Sequence, residues 1–249
     1  MIATRGGLAG AVAAQTRTEV LLTLRRGENV LITLIVPAVL LIFFASLGIV
    51  PAGQMAIAFL LPGMLALAII STAMVSLGIA TAYERHYRVL KRLGGTPLPR
   101  AGLIAAKVIS VLCIEVVQVL LLGLIAVLIY GWRPGPGIFA AIGVLLLGTA
   151  AFAGIGLAMA GGLRAEATLA GANGLYLVLL LLGDVVLPLS HLPAPLRVLA
   201  QVLPATPFTD ALRSSMTGAP MAIDGASLAE LAAWAIALVG LAALTFRWD

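Results

Sequence analysis

Residues 29–83 read NVLITLIVPAVLLIFFASLGIVPAGQMAIAFLLPGMLALAIISTAMVSLGIATAY, and no charged side chain occurs between Glu28 and Glu84. A helix needs about 20 apolar residues to cross a bilayer, so this run is too long for one span. Pro51-Ala52-Gly53-Gln54 divides it, because proline and glycine punctuate helices. The reading is two membrane helices, about 30–50 and 56–83, joined by a tight turn.

The rest of the chain repeats the pattern. Further apolar runs occupy about 103–130, 137–161, 167–187 and 228–246, giving six expected spans. Ser227-Leu228-Ala229-Glu230 has the form of a capping box at the start of the last. Hydrophobic residues make up 62% of the 249, charged residues 10%, and mean hydropathy is +1.15. A soluble domain carries roughly 25% charge. The composition therefore excludes a soluble globular enzyme, a disulfide scaffold (Cys113 is the one cysteine) and a disordered tail. No targeting peptide is read at the N-terminus, where mixed residues precede the first apolar run. Residues 8–26 form an expected interfacial helix, with Ala9, Val12, Ala13, Val20 and Leu24 on one side.

Orientation comes from the basic residues. With the N-terminus inside, the cytoplasmic face receives Arg5, Arg17, Arg25, Arg26, Arg85, Arg88, Lys91, Arg92, Arg100, Lys107, Arg164 and Arg247. Only Arg133, Arg197 and Arg213 fall outside. Both termini are then cytoplasmic in a multi-pass protein of the cytoplasmic membrane. The fold class is an all-α membrane protein, one transmembrane domain over 1–249, with an N-terminal segment 1–28, a cytoplasmic segment 84–100 and an external segment 188–226.

On a helix the first part of the cytoplasmic segment splits into two faces. Tyr83, Tyr87, Leu90 and Leu93 share one, and Glu84, Arg85, Arg88, Lys91 and Arg92 share the other. Glu84 is placed to pair with Arg88 at i, i+4, and Gly94-Gly95 supplies a stop. The stretch ERHYRVLKRLGGTPL, residues 84–98, resembles the segment after the second span of type-2 ABC transporter permeases. The stretch LPATPFTDALR, residues 203–213, is similar to the one before that family's last span. His86-Tyr87-Arg88-Val89 departs from the family's usual residues there and leaves the subfamily open.

The resemblance implies a membrane subunit of an ATP-driven exporter, not itself catalytic. It implies two copies of a separate ABC ATPase, which carry the ATP and magnesium, and a second permease copy or paralogue. It assigns ATPase coupling to Glu84, Arg85, Arg88, Leu90, Lys91, Arg92 and Leu93. Independently, a phosphate-binding loop needs Gly-Lys-Ser/Thr, and neither Lys91 nor Lys107 follows a glycine. The chain therefore carries no recognisable nucleotide site of its own, and no nucleic-acid partner or metal cluster is read. The expected cargo is amphipathic or lipid-like, with drug or antibiotic efflux the family's common label for short permeases.

Outside, Pro188–Pro195 is too proline-dense for helix, and 196–203 is a short apolar stretch. Thr206 and Pro207 are placed to open a helix to about Met216. Both short helices read as a re-entrant hairpin at the outer mouth, where the resemblance also puts one. Asp184, His191, Asp210 and Arg213 are the candidate outer-mouth residues, with Asp210 and Arg213 three apart on one helix. Within the spans, Lys107 is expected to snorkel to the cytoplasm. Glu115 and Gln118 either line the translocation path or bond a neighbouring helix. Asn173 is expected to bond between helices, and Ala150, Gly154, Ala158 and Gly162 form a small-residue packing stripe. Two other classes compete: an intramembrane lipid-modifying enzyme using His191, Asp184 or Glu115, and a non-transporting membrane scaffold.

Overall fold

The computed structural model describes residues 7–25, 31–47, 54–93, 98–185, 188–217 and 224–245. The expected turn at 51–53, the stop at Gly94-Gly95 and the basic residues Arg5, Arg26 and Arg247 lie outside them. The described residues are helical, with no strand. Helix α1 is Leu8–Arg25; a π-helical turn, Leu31–Ile35, leads into α2, Val36–Ser46. Helix α3, Gln54–Ile69, continues through a π-helical segment, Ile70–Ser76, into α4, Leu77–His86. Then follow α5, Val89–Leu93; α6, Arg100–Tyr130; α7, Ile138–Gly162; and α8, Ala165–Leu182. A 3-10 turn at Leu189–His191 precedes α9, Ala194–Val202, α10, Ala205–Thr217, and α11, Gly225–Thr245.

Five helices are long and apolar enough to cross a membrane: Ala56–His86, Ala101–Tyr130, Ile138–Gly162, Ala165–Leu182 and Gly225–Thr245. The first expected span is shorter, with its apolar helix covering Thr33–Ser46. Ala56–His86 is 89% buried, against 44% or less for the others, so it is the axis around which they pack. Lipid tails are as apolar as leucine, so helices associate here through close packing and hydrogen bonds rather than hydrophobic transfer. α7 shows the first device. A methyl group at Gly154 would lie 2.7 Å from the Leu238 carbonyl carbon of α11, and one at Gly156 would lie 2.5 Å from the Met74 carbonyl oxygen. α7 is thus wedged between α11 and the π-helical segment. Of the expected stripe, Gly154 serves this packing, while Gly162 faces open space.

The π-helical segment shows the second device. Its widened turn ends where Leu77 N–H donates to the Thr72 carbonyl, five residues back. Thr72 Oγ1 donates to the Ala68 carbonyl at 3.0 Å and accepts from Gln118 Nε2 at 2.7 Å. Gln118 Nε2 also donates to the Thr33 carbonyl at 2.7 Å. One buried amide on α6 therefore ties the turn before α2 to the central span.

Several local expectations change. The capping residue of α11 is Asp224, not Ser227: Ala226 N–H donates to Asp224 Oδ1 at 3.2 Å and Ser227 Oγ to Oδ2 at 2.6 Å. These bonds, the Ser227 hydroxyl first, hold the Asp224 carboxyl below its ordinary range. Thr206 lies inside α10, and its hydroxyl donates to the Ala200 carbonyl at the end of α9 instead of capping. Asn173 donates to its own helix at Leu169, 2.8 Å, because it faces outward.

Candidate functional site

The predicted coupling segment is not one helix. α4 stops at His86, and Tyr87 N–H donates to the Tyr83 carbonyl at 2.9 Å while Arg88 N–H reaches back to Arg85 at 2.9 Å. Arg88 then takes φ of 59°, the left-handed region, before α5 begins. That conformation costs a non-glycine residue about 1 kcal/mol. The break reorients α5 so that Leu90 is buried, while Arg88, Lys91 and Arg92 remain exposed. Tyr83 and Tyr87 stack across the break, ring centroids 6.1 Å apart. Helical i, i+4 geometry between Glu84 and Arg88 is lost because the helix ends between them. Leu93 closes α5, but its side chain is outside the described set.

Glu84 and Arg85 turn inward. Arg85 Nη1 donates to the Gly161 carbonyl in the last turn of α7, and Nη2 to the Leu163 carbonyl just past its end. A cation there satisfies orphan carbonyls and complements the negative end of the helix dipole. Glu84 Oε2 lies 2.7 Å from Lys107 Nζ, and Glu19 Oε1 of α1 lies 3.1 Å from the same nitrogen. Gln15 Nε2 donates to Glu19 Oε1 at 2.9 Å and steadies it. Lys107 is 2% exposed, so the expectation that it snorkels to water is overturned. Snorkelling serves a lysine facing lipid; this one faces two carboxylates supplied by neighbouring helices. Three elements, α1, α4 and α6, thus meet on one ammonium. Glu19 had no place among the sequence candidates; the signal for it was a lysine inside a span that needed an anion.

At the opposite end, Arg213 of α10 pairs with Asp184 Oδ2 at 2.5 Å and Asp210 Oδ1 at 3.3 Å. Its guanidinium also lies 4.0 Å from the Phe59 ring centroid, a cation–π contact. Asp184, at φ 55°, accepts from Leu189 N–H at 2.9 Å, which fixes the chain after α8. The Asp210 carboxyl is pushed up to about 6, by burial first and then by the Asp184 charge, with Arg213 opposing. His191 is exposed and takes no part in these bonds. Asp184 is engaged in holding the fold. Among the described residues no group of three or more His, Cys, Asp or Glu could hold a metal ion.

Glu115 and Gln118 share a face of α6 but part company in their contacts. Gln118 bonds neighbouring helices, as described. Glu115 accepts from Thr149 Oγ1 of α7 at 2.7 Å.

A basic turn leaves the most buried span, and the Lys107 ion pairs with Glu19 and Glu84 lie beneath it. The family model described as ABC-2 type transporter matches residues 11–217. The chain belongs to the ABC-2 type transporter family. No curated protein sequence matches it. The ABC-2 match covers α1 through α10 and includes both the Lys107 ion pairs and the Arg213 cluster. As a member of that family the chain is a multi-pass membrane component of a transporter, not itself a catalyst, and ABC-2 permeases normally work with an ABC ATPase.

Proposed function

We propose that this ABC-2 permease is the membrane half of an exporter driven by a separate ABC ATPase. The supporting observation is the exposed basic turn of Arg88, Lys91 and Arg92 at the end of the buried central span. A push on that turn is transmitted by rigid contacts. Arg85 joins α4 to the end of α7, and Glu84 joins it to α6 and α1 through Lys107. Movement of the central span against its neighbours then changes which side the cavity faces. The left-handed Arg88 is a strained residue kept at the docking point, which is where such strain is found when it serves a function.

The reading carries further parts. The basic end is cytoplasmic, by the bias of basic residues. Six spans put both termini there, and α9 and α10 form a re-entrant hairpin at the outer mouth around Asp184, Asp210 and Arg213. The core pairs two permeases with two ATPases, which hold the ATP and magnesium. The cargo is amphipathic or lipid-like, including drugs or antibiotics, and moves outward.

The test is charge reversal at Arg88 and Arg92. R88E/R92E should fold with an unchanged melting midpoint, because both side chains are exposed, yet lose co-purification of the ATPase subunit and stimulated ATP hydrolysis. Retention of both would remove the basic turn from the coupling surface.

A further inference from the structure

Glu115 sits at the middle of α6, fifteen residues from Arg100 and fifteen from Tyr130. It is 5% exposed. Thr149 satisfies Oε2, but Oε1 has no hydrogen-bond partner among the described residues. Charged groups at such depth are costly and are kept where they meet a partner or a ligand. No side chain described here supplies that partner.

The same residue lines a groove of about 280 Å³ between α6 and α7, floored by Ile69 of α3. Its walls include Leu112, Val116, Leu120, Ile142 and Leu146, and Glu115 is the one polar residue among those lining it. Val116, Leu120, Ile142 and Leu146 are each more than half exposed, so the groove opens sideways toward the surrounding hydrocarbon. The volume is at the small end of ligand pockets, and the pattern of apolar walls with one fixed polar group is that of a ligand site.

We propose that this groove binds a lipophilic ammonium compound, with its chain along the apolar walls and its head on Glu115 Oε1. Charge complementarity selects this occupant. An isolated carboxylate in hydrocarbon is expensive, and an ammonium that arrives with its own apolar tail offsets that cost without leaving the membrane. Among the described residues, a second copy of the chain offers no such cation on the face of α6 beside the groove. Lys107 is held by Glu19 and Glu84, Arg213 is held by Asp184 and Asp210, and the exposed faces of α6 beside the groove are apolar, including Val117, Leu124 and Leu128. Phospholipid headgroups stay at the interface, far from the middle of a 31-residue helix. The site deepens the exporter reading by naming a cargo class, yet binding itself needs neither an ATPase nor transport.

The test uses the purified full chain in phosphatidylcholine nanodiscs, with radiolabelled dodecylammonium as probe and dodecanol as its neutral counterpart. Wild type should bind dodecylammonium saturably. E115Q keeps the side-chain shape and the Thr149 bond, and should bind it roughly tenfold more weakly or less well still. Dodecanol should bind the two proteins alike. A second readout needs no variant: dicyclohexylcarbodiimide should modify Glu115 in wild type, and dodecylammonium should slow that modification. Equal dodecylammonium affinity in E115Q, equal competition by dodecanol, or absence of protection would overturn the site. So would ready disulfide dimerisation of L120C in the C113A background, which would show a second copy covering the groove. An ATPase uncoupled from the chain would sink the exporter reading and leave these binding results untouched.

Discussion

Lys107 is 2% exposed, and the carboxylates that face it come from helices far away in sequence: Glu19 is 88 residues earlier, and Glu84 lies at the end of the central span. Taking one partner from a buried ion pair leaves the rest uncompensated, at a cost of about 3–5 kcal/mol. Here two carboxylates would be left facing each other. K107M should therefore lower the stability of the detergent-solubilised protein by about 3 kcal/mol. E19Q/K107M/E84Q should recover much of that loss, because a neutral triad leaves no stranded charge. A K107M melting midpoint equal to wild type would show that the ammonium meets water instead. The position of Lys107, one turn into a span, is plain in the sequence. Its partners are not, because periodicity says which face a residue takes on its own helix and nothing about which helix will lie opposite. The same gap explains Glu19, which amphipathic patterning assigns simply to the polar side of α1.

At the scale of elements, the helices themselves were legible, since long apolar runs separated by Pro, Gly and charged clusters leave few alternatives. What the pattern missed lies inside or at the ends of helices. The π-helical segment Ile70–Ser76 carries no proline or glycine, and only the Thr72, Gln118 and Thr33 bonds reveal what supports it. The break at Arg88 is equally silent, because a two-face split is computed as though the helix ran straight through. Burial of Leu90 draws the chain off that line. Close approach between elements gives a test with an internal control on one helix. G156A would drive a methyl against the Met74 carbonyl, whereas G143A meets nothing within 4 Å. Overpacking costs about 1–3 kcal/mol, and replacing an unhindered helical glycine by alanine gains roughly 0.5–1 kcal/mol. Denaturant unfolding of the two variants should therefore move in opposite directions. Equal shifts would mean that the π-helical segment yields to make room, and that α7 is not wedged as described.

For the whole molecule, the arrangement of charges fixes where the ends meet. Glu19 of α1 and Glu84 of α4 share Lys107, so α1 lies at the same end as the close of the central span. The chain then passes Thr33, bonded to Gln118, and reaches Ile42, whose carbonyl accepts from Tyr130 Oη at 3.3 Å at the far end of α6. Residues 33–42 thus run from the level of the middle of α6 to its far end. The sixteen helical residues 31–46 rise about 24 Å, somewhat less than a hydrocarbon core of about 30 Å, and local thinning of the bilayer accommodates such a deficit. If this stretch crosses together with the five longer helices, α1 and α5 lie in the cytoplasm while the 131–136 turn and α9 lie outside. Single cysteines placed in a C113A background read this directly. A membrane-impermeant maleimide should label R133C and V198C in intact cells, since both sites are exposed, and should label R17C and R92C only in inverted vesicles. Labelling of R17C from outside alongside R92C from inside would leave residues 31–46 as a segment that enters and does not cross. Labelling of R92C from outside would invert the whole protein and remove the basic turn from reach of any cytoplasmic ATPase.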